Sequence, residues 1–170
     1  MSSKITTTQT IGPFPHEGWR WAFDAGEVPA PGAGIVISGQ VFDGDGSPVT
    51  DALVEGWSPD AGPGSIDGLP GLRRVAAGER GEFRFVVPRP GAASAGEPVL
   101  YVALFARGLL RHLFTAVFLA DDSALDSARL LNQVPGERRS TLVARSDGEG
   151  AYRWDIHLQG DRETVFLDFE

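Results

Sequence analysis

The chain of 170 residues contains no cysteine, which excludes disulfide bonds, thiolate metal sites and a thiol nucleophile. Its 15 lysines and arginines are outnumbered by 23 aspartates and glutamates, so the net charge is −8. Because no basic stripe is available to neutralise phosphates, nucleic acid is not an expected partner, and an anionic membrane surface is disfavoured as well. No segment approaches the ~20 apolar residues of a membrane helix, and the start, MSSKITTTQT, lacks the apolar region of a signal peptide. A cytoplasmic location is expected.

Patterns that hold metals or activate nucleophiles are also scarce. The three histidines, His16, His112 and His157, never lie two or four residues apart, although a metal site needs convergent ligands. The Gly-x-Ser-x-Gly pattern of a nucleophile elbow does not occur. On residues alone, no metal site is predicted in this chain.

Asp43-x-Asp45-x-Ser47 suggests a calcium loop, but the spacing fails. Pro48 and Val54 occupy the positions where an EF-hand loop needs glycine and glutamate. Asp, Gly, Ser and Pro are the residues that favour tight turns. The segment is therefore predicted to be a β-hairpin or a tight connection between two strands.

The length is that of a single domain. Seven short segments that alternate or are apolar throughout are predicted to be strands: 35–42, 53–57, 83–87, 99–106, 113–119, 152–158 and 165–169. Residues 60–81 are predicted to be a loop, and short helical segments are expected at 122–131 and 136–144. Many short strands with little helix predict an all-β fold, an antiparallel β-sandwich with short helices and long loops.

Residues 1–34 form a predicted N-terminal arm ahead of the sandwich at 35–170. The arm is broken by prolines and glycines but carries Phe14, Trp19 and Trp21, which is unusual for a free terminus. Such an arm packs either on its own core or on a partner chain, and the residues alone do not decide between these.

Arg107 follows the apolar run that ends at Ala106. A guanidinium at the mouth of a buried strand suits a planar carboxylate, because its fork of donors matches two oxygens. The alternative is a structural ion pair with one of the many acidic residues, and both interpretations stay open.

The stretch from Gly39 to Gly62 reads GQVFDGDGSPVTDALVEGWSPDAG, and it closely resembles the signature segment of the intradiol ring-cleaving dioxygenases. These are iron(III) enzymes that open catechols between their two hydroxyl groups. Three further stretches extend the resemblance toward the iron-free α subunits of the family: TQTIGPF at 8–14, LFARG at 104–108, and AYRWDI with QGDRETVF at 151–156 and 159–166.

The family's catalytic chains hold iron with two tyrosines and two histidines. In this sequence Val99 and Tyr101 stand at the histidine positions, and the loops after Trp57 and at Pro90–Ala93 lack the ligand tyrosines. The resemblance therefore implies that this chain binds no metal alone and pairs, as an αβ hetero-oligomer, with a homologous β subunit that binds Fe(III).

The resemblance also implies a substrate and a site. Protocatechuate would be cleaved with O₂ to 3-carboxy-cis,cis-muconate, at a pocket to which this chain contributes but in which it supplies no catalytic residue. Arg107 would help to hold the substrate carboxylate, while Thr10, Gly12, Pro13 and Phe14 would line the pocket; Phe14 stands where related α chains often carry tyrosine. The rival hypothesis is a stand-alone β-sandwich that binds or interacts without catalysis.

Overall fold

The computed structural model describes residues 34–59 and 71–168 of the chain. Nine strands lie in these ranges: β1 (Gly34–Phe42), β2 (Leu53–Trp57), β3 (Leu72–Ala76), β4 (Glu82–Pro88), β5 (Leu100–Phe105), β6 (Leu113–Leu119), β7 (Val143–Ser146), β8 (Ala151–Arg153) and β9 (Ile156–His157). Short 3₁₀ segments occupy Ala92–Ser94, Leu125–Ser127, Leu131–Gln133 and Gly136–Leu142. The prediction of a mainly β fold with short helical segments is confirmed.

The strands are hydrogen-bonded in the order β3-β2-β5-β6-β7-β8-β1-β4, with β9 beside β1. Most pairs are antiparallel, but β6–β7, β1–β8 and β1–β9 are parallel. The sheet is therefore mixed and follows one continuous path, so the predicted antiparallel sandwich of two sheets is not confirmed. The difference comes from short parallel pairings. One of them, Phe118–Leu119 with Val143–Ala144, joins strands β3, β2, β5 and β6 to strands β7, β8, β1 and β4. Alternation within a segment carries no signal for such pairings.

Strands β1 and β4 build one side of the core. Residues of β1 are alternately buried and partly exposed, and its buried positions include Ile35, Ile37 and Val41. Gly39 lies on the same buried face. A Cβ on Gly39 would lie 1.7 Å from the carbonyl oxygen of Trp154, so only glycine lets β1 approach the β8–β9 segment this closely.

Arg73 spans the gap between the edge strands β3 and β4. Its side chain is fully buried, with an exposed fraction of 0%. The guanidinium donates from Nη1 to the carbonyl of Leu72 at 2.9 Å and from Nε to that of Val86 on β4 at 3.4 Å. Nη2 has no hydrogen-bond partner among the described residues, and burial lowers the pKa of the guanidinium. A side chain thus connects the two edges of the sheet where backbone pairing does not.

A second, smaller core lies outside the main one. Phe118 of β6 packs there against residues of the 3₁₀ region: Ala128, Leu131, Val134 and Leu142. This packing covers the outer face of β6, which explains the nearly continuous apolar run that predicted the strand.

Asp122 fixes the chain just before the 3₁₀ segment at Leu125–Ser127. Its carboxylate accepts hydrogen bonds from the amides of Gly96 and Ala124 at 2.7 and 2.9 Å.

Four segments differ from the sequence-based prediction. β3 lies inside the predicted loop at 60–81, and β7 overlaps the end of the predicted helical segment at 136–144. The predicted strand at 152–158 is split, because the Asp155 carboxylate accepts the amide of Gln40 at 2.9 Å where a strand carbonyl would otherwise do so. In its described part, residues 165–168, the predicted last strand forms one bridge, between Phe114 and Leu167.

The connection between β1 and β2 is tight, as predicted, and it folds back on the end of β1 through an antiparallel bridge between Phe42 and Pro48. The two strands do not pair, since β2 lies between β3 and β5. The Asp43 carboxylate accepts hydrogen bonds from the amides of Asp45 and Ser47 at 3.0 and 2.8 Å. The aspartate and glycine residues therefore build a turn, in agreement with the preference for a turn over a calcium loop.

Within the described part of the chain, no helix is long and apolar enough to cross a membrane.

Candidate functional site

Arg107 and Asp51 face each other across neighbouring strands. β2 and β5 are antiparallel with Leu53 opposite Phe105. Continuing that register by two residues places Asp51 opposite Arg107, and the side chains meet there: Nε of Arg107 lies 3.3 Å from Oδ2 of Asp51. Two residues far apart in sequence thus form one pair at the end of the sheet.

A tight turn presents Arg107 to solvent. The amide of Leu109 donates to the carbonyl of Ala106 at 3.3 Å, and Gly108 in the turn has a φ of +85°. Nothing lies within 4 Å of a Cβ built on Gly108, so its backbone conformation alone favours glycine there. Ala106 and Leu109 pack into the core on either side of the turn. The base of the turn is therefore anchored, while the side chain at its corner projects outward.

The two members of the pair differ sharply in burial. The Asp51 side chain is 11% exposed and that of Arg107 is 71% exposed. Neither Asp51 oxygen accepts a hydrogen bond from any described residue, and the contact with Arg107 is an ion pair without hydrogen-bond geometry. The ion pair is formed at Nε, and the structure shows no hydrogen bond from either terminal nitrogen of Arg107 to a described residue. The guanidinium of Arg107 is thus paired with Asp51 through Nε, while its side chain stays largely exposed to solvent.

The residues at the positions of the family's iron ligands do not fit iron(III). Val99 is buried and has no lone pair to donate. Tyr101 lies beside Trp57, with ring centroids 6.2 Å apart, and burial together with the charge of Glu97 raises the pKa of its phenol. Among residues 34–59 and 71–168, no group of three or more histidine, aspartate or glutamate side chains could hold a metal ion.

The other tyrosine, Tyr152, is bound in a network of its own. Its hydroxyl donates to Oδ2 of Asp121 at 2.7 Å and accepts from Nη2 of Arg89 at 2.8 Å. Burial and the bond to Asp121 raise the pKa of Tyr152, while the same bond and the Arg89 charge lower that of Asp121. Both charged residues line a recess of about 170 Å³, with Val99 and the loop at Pro90–Ala92 also in its wall. This network cannot be recognised from the sequence, because its members lie on three distant segments.

A larger recess of about 410 Å³ lies beside the 3₁₀ segment at Gly136–Leu142. Four arginines and a histidine contribute to its wall: Arg138, Arg145, Arg153, Arg162 and His157. Three acidic residues line it too, and one of them, Asp155, pairs with Arg153 at 2.7 Å. His157 stacks on Phe42 with ring centroids 5.0 Å apart, and burial followed by the Arg162 charge lowers its pKa. The charges in this recess largely compensate each other.

The remaining predicted pocket residues, Thr10, Gly12, Pro13 and Phe14, lie outside the described residues, as does the rest of the arm up to residue 33.

Comparison with solved structures places the fold. The chain superposes on the dioxygenase domain of a dioxygenase–carbohydrate-binding protein fusion from Streptomyces sp. SirexAA-E with a TM-score of 0.59 and 23% identity, covering 82% of this chain and 85% of that one. An intradiol ring-cleavage dioxygenase from Tetranychus urticae gives a TM-score of 0.52 at 16% identity, with coverage of 75% and 81%. The fold is that of the intradiol dioxygenases.

Sequence relatives narrow the assignment. The protocatechuate 3,4-dioxygenase alpha chain of Burkholderia cepacia is 38% identical, with 97% of this chain and 98% of that one aligned. The alpha chain of Pseudomonas putida is 36% identical, with 96% of each chain aligned. The beta chain of Burkholderia cepacia is 26% identical over 92% of this chain and 76% of its own length. No family model matches the sequence. The chain belongs to the family of protocatechuate 3,4-dioxygenase alpha chains.

Proposed function

We propose that the chain is the non-iron α subunit of a protocatechuate 3,4-dioxygenase and completes the substrate pocket of a homologous β subunit. The reaction breaks the ring bond between the two hydroxyl-bearing carbons of protocatechuate. One atom of O₂ is added to each of these carbons, which yields 3-carboxy-cis,cis-muconate. Membership of the alpha-chain family over nearly the whole length supports this role and disfavours the stand-alone binding module.

The observation that carries the proposal is the presentation of Arg107. Protocatechuate bears a carboxylate that catechol lacks, and a guanidinium is the natural partner of a carboxylate because two parallel hydrogen bonds can form. Arg107 stands at the corner of an anchored turn with its side chain largely exposed. Its exposed terminal nitrogens suit a substrate bound across a boundary between chains.

Iron(III) is assigned to the β subunit in this proposal. The described residues of this chain offer no suitable donor set, since Val99 cannot ligate and Tyr101 has no histidine beside it on β5. What this chain contributes is therefore substrate binding, orientation and exclusion of water, each of which lowers the barrier without any covalent step.

The N-terminal segment has a proposed role in the same pocket. Thr10, Gly12, Pro13 and Phe14 would line it, with residues 1–34 packing as an arm on the partner chain and residues 35–170 forming the β domain. The αβ complex is proposed to be cytoplasmic.

Co-expression with the β subunit tests the proposal. The αβ complex is expected to contain iron and to consume O₂ with protocatechuate, whereas this chain purified alone should contain no iron and show no visible tyrosinate-to-iron absorption band. Stoichiometric iron in the isolated chain, measured by elemental analysis, would refute the assignment of the metal to β. Failure of the two chains to co-purify would refute the subunit role.

A further inference from the structure

We propose that Asp51 is a positioning residue for Arg107: its buried carboxylate holds the guanidinium at Nε, so that the terminal nitrogens face the substrate carboxylate. The inference rests on the proposed function of Arg107 and adds Asp51 as the residue that orients it. The substrate class it favours is a catechol that carries a ring carboxylate.

The first support is that Asp51 is not used by its own turn. An aspartate in a turn normally binds backbone amides close to it in sequence. Asp43 does so through the amides of Asp45 and Ser47, and Asp122 through that of Ala124. Neither oxygen of Asp51 accepts any such bond from the described residues, although Thr50 and Asp51 also form a turn.

The second support is the burial of the carboxylate. A buried carboxylate without a partner is strongly disfavoured, so its contacts identify its role. The contact that the structure gives Asp51 is the ion pair with Arg107, at 3.3 Å between Oδ2 and Nε. The backbone around Asp51 is well supported, because Ala52 and Leu53 are fully buried beside it. The carboxylate thus provides a fixed point for a side chain that is otherwise exposed.

The third support is which nitrogen the pair uses. The ion pair is formed at Nε, and no hydrogen bond of Nη1 or Nη2 to a described residue is seen, so these two nitrogens can bind two oxygens of one carboxylate. An arginine held in this orientation loses less conformational freedom when substrate binds, so binding is tighter. A lysine at position 107 could not divide its contacts in this way, since its donors share one nitrogen.

The test uses the iron-loaded αβ complex with protocatechuate and with catechol, which lacks the carboxylate. Asp51→Asn keeps the shape of the side chain and removes its charge. It is expected to raise KM for protocatechuate roughly three- to tenfold, with kcat and the catechol parameters within about twofold of wild type. In the Arg107→Ala background, Asp51→Asn should add no further loss, because the group it positions is gone.

Asp51→Glu is the second variant, because it keeps the charge and moves the carboxylate by one methylene group. It should give a smaller rise in KM, again for protocatechuate alone. If the asparagine variant does not assemble, the KM of the glutamate variant tests the positioning role of Asp51. Unchanged KM for protocatechuate in the variants that assemble would overturn the inference. Equal losses on both substrates would overturn it too, because they would mean that Asp51 only supports the fold.

Failure of the proposed function gives a different result. If Arg107→Ala itself changes KM for protocatechuate no more than for catechol, Arg107 does not bind the carboxylate, and the inference about Asp51 falls with it. If Arg107→Ala is selective for protocatechuate and Asp51→Asn is silent, the proposed function stands and only the positioning role is wrong.

Discussion

The carbonyl oxygen of Trp154 occupies the space that a side chain on Gly39 would need, since a Cβ there would lie 1.7 Å away. The oxygen belongs to the backbone, so the overlap cannot be relieved by a rotamer change. The aromatic ring of Phe83 is also within 2.8 Å of that position. The close approach of β1 to the β8–β9 segment therefore depends on one glycine.

Gly39→Ala is expected to destabilise the chain by roughly 3 kcal/mol, as in other overpacked cores where the backbone must shift. Urea denaturation followed by tryptophan fluorescence measures the change. Gly136→Ala is the matched control, because nothing lies within 4 Å of its Cβ position and its φ is not positive. A loss in Gly39→Ala no greater than that in the control would contradict the packing argument.

Tyr152→Phe tests the network that joins β4, β6 and β8. The substitution removes the hydroxyl between Asp121 and Arg89, both of which are about half exposed. A loss of about 1 kcal/mol in unfolding free energy is expected, below the full value of a charge-assisted bond because solvent screens both partners. Tyr101→Phe serves as the comparison, since no hydrogen bond is recorded for the Tyr101 hydroxyl among the described residues, and its stability should be nearly unchanged. Equal losses in both variants would count against the network.

His157 gives the fold a pH dependence whose sign follows from its lowered pKa. The unfolded chain binds a proton at a higher pH than the folded chain does, so stability rises with pH across the interval below the ordinary histidine value. The contribution is present above pH ~6.5 and is lost as the pH falls through that interval.

The matched variant is His157→Phe, which keeps the stacking on Phe42 and cannot titrate. Its thermal midpoint should fall less than that of wild type between pH 7.5 and 5.5, roughly the range around the histidine pKa. Arg162→Ala should lie between the two, because it removes the second cause of the shift. Parallel pH curves for all three proteins would show that His157 does not contribute.

The strands that the sequence predicted well are those whose own residues carry the signal. The apolar run at Val99–Ala106 corresponds to β5, and the alternation at Phe83–Val87 corresponds to β4. β3 was missed because the glycines and prolines at 62–64 and 68–71 predicted one loop over 60–81, and its own two adjacent arginines do not suggest a buried strand. Arg74 pairs with Glu55 on β2, with both side chains less than a fifth exposed, and Arg73 is fully buried against the carbonyl of Val86. A buried arginine can be recognised only when the opposite edge of the sheet is known.

In the candidate site, too, one residue could be predicted from its own segment and the other could not. Arg107 stands out in the sequence, because a charged residue directly follows an apolar strand. Its partner does not, since Asp51 looks like one more aspartate in a turn-rich segment and resembles Asp43 and Asp45 nearby. The pair depends on the register between β2 and β5, in which Leu53 lies opposite Phe105. Register between distant segments is set by tertiary packing and is not readable from either segment alone.

The measurement that tests the central claim most directly is the steady-state kinetics of Arg107→Ala in the αβ complex with protocatechuate and catechol. Loss of a charge-assisted bond of about 1.5–3 kcal/mol predicts a roughly ten- to hundredfold fall in kcat/KM for protocatechuate. Most of it should appear in KM, because the bond is present in the ground state and the transition state alike. Arg111→Ala is the control: its side chain is similarly exposed and pairs with Asp168 at 3.6 Å, so its kinetics should match wild type. With catechol both variants should behave as wild type, and iron content and assembly should not change. Equal losses on the two substrates in Arg107→Ala would contradict the claim and leave Arg107 with a structural role.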